Sequence, residues 1–133
     1  MWKETIICVV IIIVIIVANI ITQNYTVNSV ETLSDELGDV KEIALKLDED
    51  EQQYAKDIKE KIDRVNDSWH KRHDKLAYFI EHDELEKVET YLTGINSYLE
   101  TKDYGEAISE IEKAIFVLKH IEDKYSFCLE NVF

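Results

Sequence analysis

The sequence predicts an all-α protein, with an N-terminal transmembrane helix followed by an antiparallel bundle of about four helices. Three observations lead there. Ile6 to Ile21 is apolar at every position except Asn19. The chain contains no proline, and its 3 glycines are Gly38, Gly94 and Gly105. Beyond residue 22 the apolar residues recur at spacings of three and four, and nothing alternates with period two for long.

The first element is the run Thr5–Thr22. As a helix it spans about 27 Å, close to the hydrocarbon thickness of a bilayer. An Ile/Val run also suits a buried strand, but strands rarely exceed about ten residues. In lipid the modest helix propensity of Ile and Val matters little, because the helix satisfies every backbone N–H internally. Lys3 and the α-amino group favour a cytoplasmic N-terminus, with the rest of the chain extracytoplasmic. Trp2 suits the inner interface and Tyr25 the outer one. The competing reading is a cleaved signal segment, for which Val27-Asn28-Ser29 is the least unsuitable site. The organisation expected is therefore residues 1–22 as anchor, with 5–22 in the lipid, 23–29 as a juxtamembrane hinge, and 30–133 as an acidic helical ectodomain.

Helix one of the ectodomain carries Val30, Leu33, Leu37, Val40, Ala44 and Leu47. That spacing is a coiled-coil seam of under three heptads. It is an association surface if its own bundle does not use it. Asp48-Glu49-Asp50-Glu51 interrupts the seam and suits a new helix N-terminus. Helix two is expected over residues 50–81, through Tyr54, Ile58, Ile62, Val65, Trp69, Leu76, Phe79 and Ile80, with a weak point at Asn66-Asp67-Ser68. Asp83 with Glu86 forms a capping-box pattern for helix three, which carries Leu85, Val88, Leu92, Ile95 and Leu99. Asp103 with Glu106 repeats the pattern for helix four, which carries Ala107, Ile108, Ile111, Ala114, Ile115, Leu118, Ile121 and Tyr125. The apolar tail from Phe127 to Phe133 is expected to pack back on the bundle. If helices one and two are strictly antiparallel, the end of helix two reaches toward the membrane plane, and a bend at residues 22–29 would relieve this.

Charge and cysteine content narrow the function. The formal net charge is −13, and Lys3 and Glu4 cancel, so all of it belongs to residues 23–133. Nucleic acid is not an expected partner, because phosphate binding needs a basic face. Cys8 lies in the apolar run and Cys128 near the far end, so no internal disulfide staples the domain.

Histidines are the candidates for chemistry. His70, His73 and Asp74 form a cluster, but Lys71, Arg72 and Lys75 beside it favour a solvated basic face over a metal site. His82 ends helix two. Counting along helices three and four brings His120 back to the same level, with Glu84 nearby. These three, His82, Glu84 and His120, could form a cation- or pH-responsive cluster. The plainer reading is a hydrogen-bonded polar cap. The serines have no nucleophile elbow or local base, so no catalytic residue, enzyme activity or cofactor is expected. The aromatic residues read as core and rim.

One longer pattern joins these elements: Trp69, then Leu76-Ala77-Tyr78-Phe79-Ile80-Glu81-His82-Asp83-Glu84, then Leu118-Lys119-His120-Ile121, then Leu129-Glu130-Asn131-Val132-Phe133. It resembles a family of bacterial proteins of about this length, found mainly in spore-forming Gram-positive anaerobes and classed as a domain of unknown function. The resemblance implies an anchored, all-helical envelope protein and draws attention to His82, Glu84, His120, Asn131 and Phe133. It implies no activity, substrate or cofactor. Together the residues and the resemblance point to a non-catalytic accessory subunit, with another envelope protein or a second copy of itself as partner. The alternative is the cation- or pH-responsive module.

Overall fold

The computed structural model describes residues 1–47 and 51–130, with side-chain surroundings over 1–47 and 54–126. Asp48, Glu49, Asp50 and the Asn131–Phe133 end of the tail lie outside the described residues. The expected packing of residues 127–133 is therefore not described.

The described residues form four helices: α1 (Trp2–Leu47), α2 (Glu51–Leu76), α3 (His82–Glu100) and α4 (Tyr104–Glu130). They run up and down in turn. α1 packs on both α2 and α4, α3 packs on α4, and α2 approaches α3 only sparsely. The core follows the predicted stripes. Leu33, Leu37, Leu85, Ile95, Ile111, Leu118 and Ile121 are each almost fully enclosed, which makes burial of these branched side chains the main stabilising term.

The hinge expected at residues 23–29 is instead continuous helix within the 46 residues of α1. No proline or glycine interrupts it. The Thr26 hydroxyl donates to the Thr22 carbonyl at 2.9 Å, and Thr26 and Ser29 are both buried. Tertiary contacts hold this segment as well. The Gln23 amide donates to the Ser126 carbonyl at 3.3 Å, and the Tyr25 ring meets Phe79 edge-on at 6.2 Å between centroids. The bundle thus begins inside the stretch that reads as a linker, because packing outweighs weak local propensity.

α2 ends at Leu76 rather than near residue 81, and Asn66-Asp67-Ser68 lies within unbroken helix. A tight turn follows, in which the Ile80 N–H donates to the Leu76 carbonyl at 2.9 Å. Leu76 and Ile80 both enter the core. Asp83 is not the cap of α3. The helix opens at His82 behind Glu81, whose side chain makes no capping bond. The Glu81 backbone N–H donates to the Tyr125 hydroxyl at 2.8 Å instead.

The end of α3 is a Schellman closure. The Lys102 and Asp103 N–H groups donate to Leu99 and Tyr98 at 3.2 and 2.9 Å, and Lys102 takes φ 60. Asp103 caps α4 as expected, its Oδ1 accepting from the Glu106 N–H at 3.3 Å.

The interaction seam read from the sequence is consumed by the fold. Val30, Leu33, Leu37, Val40 and Leu47 are at most 3% exposed, because α2 covers one flank of α1 and α4 the other. They are core and not a docking surface.

Candidate functional site

Among the three residues expected to converge, the structure joins two. Glu84 stands in the first turn of α3, where the helix dipole favours a carboxylate, and is 7% exposed. His120 of α4 places Nε2 at 3.9 Å from it. Lys87 and Lys124 bring ammonium groups to 3.7 and 3.8 Å. The nearly buried carboxylate is thus ringed by two ammoniums and an imidazole. Such a ring neutralises an anion and leaves little attraction for a divalent cation. Lys124 also pairs with Glu81 at 3.0 Å. That carboxylate, above all, holds the Lys124 ammonium above its usual titration range.

His82 does not join this ring. It lines a separate open groove with His73, Glu86 and Glu89. The cause is helical phase: residues two apart on a helix point to different sides. His82 and Glu84 share a level but not a face. The remaining histidines disperse as well. His70 Nδ1 sits 2.6 Å from the Asn66 carbonyl, and the His73 ring lies edge-on to Trp69. Among the described residues no group of three or more His, Cys, Asp or Glu is disposed to hold a metal ion.

Two features were not singled out in the sequence. The first is an open groove of about 630 Å³ between α3 and α4, lined by Tyr91, Val117 and Phe116 and edged by Lys87, Lys113 and His120. Phe116 is 73% exposed. Its phase was readable, since it falls between Ile115 and Val117 but outside the stripe of Ile111, Ala114, Leu118 and Ile121. The second is a reciprocal amide pair across the sparse α2–α3 contact. Asn66 Nδ2 donates to Asn96 Oδ1 at 3.0 Å, and Asn96 Nδ2 donates back at 3.1 Å. No sequence spacing announces a pair between two helices that barely touch.

α1 is long and apolar enough to cross a membrane, and none of its apolar window is buried by the rest of the chain. A single apolar segment at the N-terminus is compatible with a span or a signal sequence.

A family of unknown function, DUF4363, matches residues 20–132. The chain belongs to that family. The match begins inside α1, close to where the bundle begins, so the DUF4363 region and the packed part of the molecule nearly coincide. Neither a curated protein nor a solved structure matches the chain. The Glu84 ring and the Phe116 groove both lie within the DUF4363 region.

Proposed function

We propose that this DUF4363 protein is a single-pass, non-catalytic subunit of the cell envelope of spore-forming Gram-positive bacteria, and that it acts by binding another protein. The anchor is retained, with the N-terminus cytoplasmic and the acidic bundle outside. Support for retention comes from the fold. Cleavage after Ser29 would remove Thr26 and Ser29, both buried in the bundle, along with the contacts of Gln23 and Tyr25. The orientation rests on Lys3 and the amino terminus.

The observation that carries the interaction reading is Phe116. A phenylalanine held 73% exposed beside Tyr91 and Val117 gains nothing for the isolated fold. Aromatic side chains in such grooves are frequent anchors of protein contacts.

A photo-crosslinking residue placed at position 116 of the full chain, in native membranes, tests this. A control at Lys59, on the opposite helix pair, guards against random capture. The expected result is one stoichiometric foreign protein captured from position 116 and not from position 59, and lost when unlabelled wild-type chain is in excess. Capture of the chain only by itself, or equal capture from both positions, overturns the accessory-subunit reading.

A further inference from the structure

The unbroken α1 fixes a height relation between bundle and bilayer. Thr22 ends the apolar run, and Tyr25 follows about 4.5 Å further along the axis. Two other parts of the bundle come down to that level. One is the α2–α3 turn: Phe79 meets the Tyr25 ring, and Lys75 Nζ lies 5.6 Å from the centre of the same ring. The other is the end of α4. Its Ser126 carbonyl accepts from Gln23, one residue past the end of the apolar run. The interfacial layer of a bilayer is about 5–7 Å thick on each side. With α1 crossing the membrane, the turn and the Ser126 level of α4 therefore stand inside that layer.

The chemistry of the turn fits the place. Beyond Thr22, Leu45, Tyr78 and Phe116 are the large hydrophobic residues exposed among the described ones, and Tyr78 is the most exposed of them at 89%. Leu45 is at the far end of α1, and Phe116 lies midway along α4. Tyr78 is at the tip of the α2–α3 turn, at the height of Tyr25. A tyrosine there presents an apolar ring with a hydroxyl at its end, the combination enriched at membrane–water interfaces. The nearest charges along the chain, Lys75 and Glu81, offset each other. The contact thus gains no electrostatic pull from anionic headgroups, which the acidic domain as a whole repels.

We propose that the α2–α3 turn, with Tyr78 at its tip, seats in the headgroup layer of the bilayer that α1 spans. This rests on the reading of α1 as a membrane span. The bundle is then held to the membrane at a second point and does not stand away on a stalk.

Spin labelling of the full chain in phosphatidylcholine nanodiscs tests it. Cys8→Ala and Cys128→Ala clear the background, and single labels go to Tyr78→Cys, Ile13→Cys and Leu45→Cys. Accessibility to oxygen and to a water-soluble nickel chelate gives the depth of each label. The expected order has position 13 deep in lipid, position 45 in water and position 78 at headgroup depth, its nickel accessibility several-fold below that of position 45. Adding phosphatidylglycerol leaves position 78 unchanged. If position 78 matches position 45 while position 13 stays in lipid, the seating is wrong and the span stands. If position 13 is itself open to the nickel chelate, the span reading falls and takes the seating with it.

Discussion

Replacing Leu37 by aspartate separates a core role for α1 from a stalk role. Leu37 is 0% exposed, between α2 and α4. Removing a fully buried leucine costs about 2–5 kcal/mol in packing and transfer free energy. The new carboxylate must also be buried. Holding it neutral at pH 7 requires a rise of about three units from its ordinary value, or roughly 4 kcal/mol. The sum, about 6–9 kcal/mol, is most of the 5–15 kcal/mol typical of a whole domain. Leu37→Ala isolates the first term. Leu45→Asp, two turns further on the same helix at 57% exposure, should cost less than about 0.5 kcal/mol. Trp69, only 2% exposed, reports on the bundle alone once Trp2→Phe removes the other indole. Denaturant titration of the full chain in nanodiscs, followed by Trp69 emission, should show a bundle already unfolded in Leu37→Asp, a reduced midpoint in Leu37→Ala and no change in Leu45→Asp. Should Leu37→Asp keep the Leu45→Asp midpoint, α1 is not core, and the seam is free for a partner after all.

Three further outcomes are expected. Gly38→Ala should raise stability by about 0.5–1 kcal/mol, since a Cβ there meets nothing within 4 Å; a lowered denaturation midpoint would contradict that open space. Asn66→Ala and Asn96→Ala should each cost about 1–2 kcal/mol, and the double variant less than their sum by about 1 kcal/mol, because the two amides satisfy each other; strict additivity in the cycle would deny the pair. Lys124 holds its proton above 10.5, chiefly through Glu81, so the stabilisation from this pair is complete below that value and is lost as pH rises through the higher folded one. Melting curves from about pH 9 to about 12 should therefore show a smaller alkaline decline in Glu81→Gln than in the parent; equal declines would remove the pair as their cause.

Much of the fold is legible because repeated three-and-four spacing encodes it many times over. Val30 to Leu47, Leu85 to Ile95 and Ile111 to Ile121 all turn inward as their periods predict. The break at 101–103 carries its own local chemistry in Asp103, whereas the one near residue 81 does not, since α2 stops at Leu76 and Asp83 is no cap. The hinge fails for a different reason. Residues 23–29 are locally weak, and what makes them helical comes from Phe79 and Ser126, remote in sequence. The histidine site shows the limit of counting residues along antiparallel helices. Counting gives height along the bundle, which brings Glu84 and His120 together. It does not give azimuth, which turns His82 away. The charges that close on Glu84, Lys87 and Lys124, follow the same geometry: Lys87 is one turn beyond Glu84, and Lys124 one turn beyond His120.

The continuity of α1 has a last consequence, which concerns direction. Asn19, the polar residue within the apolar run, is two turns before Thr26, so both point the same way around the axis. Thr26 is buried against the bundle. With α1 as the proposed membrane span, Asn19 continues inside the bilayer the line that Thr26, Leu33 and Leu37 follow beyond it. On that reading, with no swivel between the two parts, a helix that grips Asn19 also sets the compass bearing of the bundle. A twist of the buried half would turn the Phe116 groove through the same angle.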